Sequence, residues 1–146
     1  MKRESLLLAS RYLFIGCGVW LVGLGFYFIF VRPPLLPEDP RYMGASLEQI
    51  QQALPGLAAW LGKVFTVMGG FMAAAGILTL FTAMRLPAAA SRNFTLMAAL
   101  AGVAGVGLMS PVNFVLASDF RWLLLVPAVA WLFAVLAAAR SEYGPP

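Results

Sequence analysis

Strongly apolar stretches alternate with short polar ones along this chain, and four of the apolar stretches are long enough to cross a bilayer. The first runs from Tyr12 to Val31, twenty residues without a charged side chain. As a helix it would be about 30 Å long, which is the thickness of the hydrocarbon core. The same reasoning predicts three further spans, at 61–84, 94–116 and 121–139. We therefore predict an all-α integral membrane protein, a bundle of four transmembrane helices that forms a single membrane domain over residues 1–146.

The longest polar segment, residues 32–60, is predicted to be a loop on the outer side of the membrane. Its first half contains Pro33, Pro34, Pro37 and Pro40. These prolines exclude a continuous helix, so we expect an extended outer flap there. Ser46-Leu47-Glu48-Gln49 has the form of a capping box, which predicts a short helix after Ser46. Its leucine and isoleucine residues recur at helical spacing, which favours an amphipathic helix lying on the membrane interface.

The predicted spans place both chain termini on the same side of the membrane. Only residues 117–120 separate the third and fourth spans, so we expect an antiparallel hairpin with Ser118 or Asp119 as N-cap. Six of the ten basic residues fall at the two chain ends and in the 85–92 turn. The positive-inside rule then predicts that the N- and C-termini are cytoplasmic. The layout resembles that of many small bacterial inner-membrane proteins, and its span number is similar to that of the DoxX-like families, without a matching motif residue.

Small residues within the spans mark the faces where we expect the helices to pack closely, because membrane helices associate through close backbone approach. The candidate helix-packing residues are Gly69, Gly70 and Ala73 in the second span, Ala98, Gly102 and Gly105 in the third, and Ala130 and Ala134 in the fourth. Pro111 and Pro127 lie inside the third and fourth spans and are expected to bend them.

Composition agrees with a membrane protein and excludes several chemistries. Hydrophobic residues make up 62% of the chain and charged residues 11%. The chain is therefore more apolar than a soluble domain of this size. Histidine is absent and Cys17 is the one cysteine, which removes the commonest general base, the usual metal ligands and any intrachain disulfide. We therefore expect no metal or other cofactor. The net charge of +4 comes from scattered residues, so no nucleic-acid partner is expected.

The polar residues flanking the spans on the outer side form a candidate outer polar cluster. Its members are Arg32, Glu38, Asp39, Arg41, Lys63, Asn113, Asp119 and Arg121. In one interpretation these groups line a mouth at the outer leaflet, where carboxylates bind a lipid headgroup or exchange protons. In the other, which we prefer, Glu38 or Asp39 pairs with Arg121 or Lys63 and holds the flap against the helices.

Three functions remain open at this point. The leading prediction is a non-catalytic accessory or structural subunit that packs against other membrane proteins or lipids. The alternative is a binder or carrier of a small hydrophobic molecule such as a lipid, quinone or carotenoid, with Trp20, Met68, Met72 and Trp131 as candidate contacts. The third is an outer-leaflet enzyme that uses Glu38, Asp39, Lys63 and Arg121. An internal cavity lined by tryptophan and methionine would favour the second.

Overall fold

The computed structural model describes residues 3–86 and 91–143, and in these two ranges it contains helices and turns but no strand. Its helices are α1 (Arg3–Phe30), α2 (Glu38–Met43), α3 (Leu47–Ala53), α4 (Leu57–Met84), α5 (Arg92–Gly102), a π-helical segment (Val103–Gly107), α6 (Leu108–Val115) and α7 (Arg121–Tyr143). The segment from α5 through the π-helical turn to α6 is continuous and is called the third span below. Helices α1, α4, the third span and α7 are each long and apolar enough to cross a membrane. For the described residues, the prediction of an all-helical chain with four helices long and apolar enough to span a membrane is confirmed.

The helices begin and end at different residues from the predicted spans. Helix α1 starts at Arg3 rather than at Tyr12, because Arg11 interrupts the apolar run without interrupting the backbone hydrogen bonds. Helix α4 starts at Leu57, and α7 continues to Tyr143. The absence of charge therefore marks the part of a helix that can lie in hydrocarbon, whereas the helix itself extends into the polar region on either side.

The four spanning helices pack as a row. Helix α1 packs against α4 on one side and against α7 on the other, and α7 also packs against the third span. Helix α4 and the third span follow each other in the chain, yet in the described residues they form no comparable interface. The row therefore leaves one side open, between α4 and the third span.

Glycine residues bring α1 and α4 into backbone contact. A Cβ atom placed on Gly25 would lie 2.6 Å from the Ala73 nitrogen and the Gly69 oxygen of α4. One placed on Gly76 would lie 2.7 Å from the Gly18 oxygen of α1. A larger residue at these positions would push the helices apart, which is why small residues dominate close crossings in membranes.

Side-chain hydrogen bonds to backbone carbonyls join α7 to its two neighbours. On the α1 side, Ser10 Oγ donates to the Ala134 oxygen at 2.9 Å, and Cys17 Sγ donates to the Pro127 oxygen at 3.6 Å. On the other side, Trp131 Nε1 donates to the Ala98 oxygen of the third span at 2.8 Å.

The predicted helix-packing residues fall into two groups. Gly69 and Ala73 lie against α1, Ala134 is fully buried between α7 and α1, and the indole of Trp131 lies directly against Gly102, next to Ala98. Gly70 and Gly105 are exposed, and apart from the adjacent backbone of their own helices no atom of the described residues lies within 4 Å of the place a Cβ would occupy, while Ala130 is half-buried.

The connection between α1 and α4 differs in part from the predicted flap. Residues 38–43 form α2 instead of an extended segment. Pro40 is its third residue, where a backbone N–H has no intrahelical acceptor and its loss costs nothing. Helix α3 begins with the full capping box: Ser46 Oγ accepts from the Gln49 N–H at 3.1 Å, and Gln49 Oε1 accepts from the Ser46 N–H at 2.8 Å. Its Ile50 is buried.

The turn between the third span and α7 is tight. Ala117 adopts a left-handed conformation with φ of 50°, which allows the chain to reverse within a few residues. Ser118 was a candidate N-cap, but its hydroxyl accepts from the N–H of Phe120, one residue before α7 begins. Ser118 therefore stabilises the turn rather than the first turn of the helix.

Candidate functional site

A lateral groove of about 1060 Å³ occupies the open side of the helix row. Helix α4 and the third span form its two walls, and side chains of α1 and α7 form its floor. The groove runs towards the end of the helices formed by residues 31–56 and 116–120, called the loop end below. Trp20, Met68, Met72 and Trp131, the candidate hydrophobic-ligand contacts, all line it.

Aromatic residues close the groove at the end opposite the loop end. The ring of Phe14 makes edge-to-face contacts with Phe94 and Trp131, at centroid distances of 5.9 and 5.2 Å. Ala83 of α4 is buried in the same cluster. This cluster contains residues of all four spanning helices and therefore holds them together at this end.

Apolar side chains dominate the walls between the closed end and the loop end. The walls include Phe71 and Ala75 of α4 and Met97, Ala101 and Gly105 of the third span. The π-helical segment contributes part of this wall through Ala104, Gly105 and Val106. Segments of π-helix inside α-helices are frequent at functional sites.

Polar side chains gather at the loop end of the groove. Arg32, Glu38, Asp39, Asn113 and Ser118 line it there, so four members of the predicted outer polar cluster share one end of one cavity. The Asn113 amide donates to the Met109 oxygen of its own helix at 2.8 Å. The groove therefore combines a long apolar body with a polar end.

Glu38 is the most buried charged residue of this end, with 3% of its surface exposed. Its Oε1 accepts a hydrogen bond from Ser118 Oγ at 2.9 Å, which joins α2 to the turn before α7. Its Oε2 is buried and has no hydrogen-bond partner among the residues that the structure describes. A buried carboxylate oxygen without a partner is costly, because nothing replaces the water it has lost.

Arg32 lies beside Glu38 but is engaged elsewhere. Its Nη1 donates to the Pro33 oxygen at 2.8 Å, its Nη2 lies 3.8 Å from Asp39 Oδ2, and its guanidinium carbon lies 3.6 Å from the centre of the Phe65 ring. Burial lowers the pKa of Arg32 from its ordinary value, and the negative charge of Asp39 acts in the opposite direction. These contacts hold the guanidinium between the proline segment and the start of α4.

The other members of the outer polar cluster lie outside the groove. Arg41 Nη2 is 3.5 Å from Asp119 Oδ1 in an exposed pair, and it also donates to the Ala117 oxygen at 3.3 Å. Arg121 donates to the Ser118 oxygen at 3.4 Å. Lys63 is exposed and forms no ion pair within residues 3–86 and 91–143.

The contacts that hold the loop segment differ from the predicted ones. Neither Glu38 nor Asp39 pairs with Arg121 or Lys63 within the described ranges. Asp39 pairs with Arg32, seven positions away on the segment leading out of α1, and Glu38 binds a hydroxyl. The contact of Ser118 with Glu38 joins residues 80 positions apart, so no local pattern in the sequence predicts it.

The polar end of the groove combines two carboxylates, a guanidinium, an amide and a hydroxyl. Among the described residues, one carboxylate oxygen of this set, Glu38 Oε2, has no hydrogen-bond partner. In the described part of the chain, no three aspartate, glutamate or cysteine side chains come together as metal ligands would. No family model matches this chain, and no curated protein or solved structure shows significant similarity to it.

Proposed function

We propose that this protein is a non-catalytic membrane protein that binds an amphiphilic molecule in its lateral groove. The observation that supports this most directly is the cavity of about 1060 Å³, apolar along its length and polar at the loop end. Its volume is at the upper end of the range of about 300–1,000 Å³ that is usual for small-molecule sites. An elongated molecule with one polar end matches this distribution of side chains.

The position of the groove favours a ligand that enters from the bilayer. Helix α4 and the third span do not close against each other, so the groove opens between two membrane-spanning helices. Trp20 and Trp131 provide rigid aromatic surface, while Met68 and Met72 provide side chains that adapt to the shape of a ligand. A hydrophobic molecule would reach these residues without passing through water.

We further propose that the protein resides in a bacterial inner membrane as a bundle of four spans with cytoplasmic termini. In the described residues, the end of the molecule that carries the two termini has five arginines, and the loop end has three arginines and Lys63. This difference supports the proposed orientation. The loop end would then face the outer leaflet, with α2 and α3 at its surface. Reporter fusions at both termini test this: a signal from the periplasmic side at either terminus would contradict the orientation.

A second candidate function is that of an accessory subunit whose groove receives a helix of a partner protein. Gly105 favours it, because this groove residue is exposed and has open space around its Cα, which would let another helix approach closely. In addition, only 17–22% of the 18-residue apolar stretch of each span is buried inside the protein. Most of the spanning surface is therefore available to lipids or to other subunits.

Filling the groove tests the binding function. Gly105→Leu adds a side chain on the groove wall, whereas Gly70→Leu adds the same side chain to α4 outside the groove, and both sites have open space. Each variant would be purified in mild detergent and its bound molecules counted by native mass spectrometry. We expect Gly105→Leu to lose most of the small amphiphile that the wild type and Gly70→Leu retain.

The same experiment distinguishes the two candidates. A retained species with the mass of a lipid or another small molecule supports the binding function. A protein that co-purifies with the wild type and Gly70→Leu but not with Gly105→Leu supports the accessory-subunit function instead. Equal retention of every species by all three proteins would contradict both uses of the groove.

A further inference from the structure

The charged residues that line the loop end of the groove are one arginine, Arg32, and two carboxylates, Glu38 and Asp39. Arg32 and Asp39 have opposite charges and lie 3.8 Å apart. Glu38 interacts with Arg32 only at longer range, forms no ion pair within 4 Å in the described residues, and has 3% of its surface exposed. Counting these three groups leaves one uncompensated carboxylate at the polar end.

The two oxygens of Glu38 differ in what they can still accept. Oε1 accepts from Ser118 Oγ, and Ser118 is itself fixed because its oxygen also accepts from the Phe120 N–H. Oε2 has no hydrogen-bond partner in residues 3–86 and 91–143, and Glu38 is one of the residues that line the groove. A ligand group that donates a hydrogen bond to Oε2 would satisfy it, and a positive charge on that group would offset the cost of burying the carboxylate.

We propose that Glu38 binds the primary ammonium group of a phospholipid whose acyl chains occupy the groove, a proposal that rests on the binding function above. An ammonium group supplies both the positive charge and N–H donors, whereas a quaternary ammonium supplies the charge alone. A phospholipid is the source we favour because the groove opens between two membrane-spanning helices.

Glu38→Gln separates the charge from the shape of the site. Glutamine has nearly the same size and can still accept from Ser118, so the fold should be kept, which thermal unfolding in detergent would check. Glu48→Gln is the matched control, because Glu48 is an exposed residue of α3 that does not line the groove. Each delipidated protein would be titrated with phosphatidylethanolamine, phosphatidylcholine or phosphatidylglycerol of identical acyl chains, and bound lipid measured by native mass spectrometry.

We expect the wild type and Glu48→Gln to bind phosphatidylethanolamine at least about tenfold more tightly than phosphatidylglycerol, a difference of about 1.4 kcal/mol. Phosphatidylcholine should bind between the two, because its head carries charge without an N–H donor. In Glu38→Gln the three lipids should bind within about twofold of one another. Glycerophosphoethanolamine, which has the head but no acyl chains, should not compete.

Three results would overturn the proposal. Equal binding of the three lipids by the wild type would contradict ammonium recognition while leaving lipid binding in the groove intact. A preference for phosphatidylethanolamine that persists in Glu38→Gln would place the recognition elsewhere. If Gly105→Leu binds every lipid as well as the wild type does, the groove is not the site and the binding function itself fails.

Discussion

Replacing Trp131 by phenylalanine should weaken the contact between α7 and the third span. Trp131 Nε1 donates to the Ala98 oxygen at 2.8 Å, and its indole lies against Gly102. The same ring contacts Phe14 edge-on, with 5.2 Å between centroids. Phenylalanine keeps an aromatic ring for the contact with Phe14, but it removes the donor and leaves space beside Gly102.

The size of the effect follows from these two losses. A hydrogen bond between membrane helices is worth about 0.6 kcal/mol on average and up to about 1.7 kcal/mol. A void of at least the size of a methyl group costs about 1 kcal/mol more. We therefore expect Trp131→Phe to lower the free energy of unfolding by about 1.5–3 kcal/mol.

Trp20→Phe is the matched control within the same chain. Trp20 also lines the groove, but its Nε1 is buried without a hydrogen-bond partner in the described residues. Removing that N–H breaks no interaction and removes an unpaired donor. The free energy of unfolding of Trp20→Phe should therefore change by less than about 0.5 kcal/mol or rise. Unfolding in mild detergent, followed by circular dichroism during titration with sodium dodecyl sulfate, would compare the three proteins. Equal losses in both variants would refute the reasoning, because indole size rather than the bond to Ala98 would then determine stability.

Three further substitutions, one of them with a matched control, test the helix contacts and the tight turn by the same unfolding measurement. Gly25→Ala should cost about 1–3 kcal/mol because its Cβ would overlap the α4 backbone, while Gly23→Ala, with open space, should be nearly neutral. Ser10→Ala should cost about 0.6 kcal/mol through loss of the bond to Ala134. Ala117→Gly should gain up to about 1 kcal/mol, since glycine adopts φ of 50° without strain; a loss on this substitution would show that the turn is not strained.

The sequence predicts the spanning helices well because each depends on a local property. An uncharged apolar run of about twenty residues has few options in a membrane other than a helix. The capping box at Ser46 and Gln49 is equally local, since its two hydrogen bonds join residues three positions apart. The prediction of an extended segment at α2 is wrong because prolines do not exclude a helix at every position. Pro40 lies in the first turn of α2, where a helix tolerates proline.

The groove could not be predicted in the same way, because it depends on which helices pack together. Trp20, Met68, Met72 and Trp131 were candidates from their residue types and depth, but nothing local places them around one cavity. The contact between Glu38 and Ser118 joins positions 80 apart. Contacts of this kind depend on which helices lie next to each other in the row. The spacing of small residues is compatible with more than one such order.

The order of the row makes the first helix the structural centre of the protein. Helices α1 and α4 form one half of the molecule, and the third span with α7 forms the other. The main seam between the halves is the contact of α1 with α7, where Ser10 and Cys17 donate to carbonyls of α7. A rotation of one half about this seam would change the distance between α4 and the third span. Ser10 and Cys17, whose hydrogen bonds to α7 hold this seam together, therefore also help to fix the width of the groove.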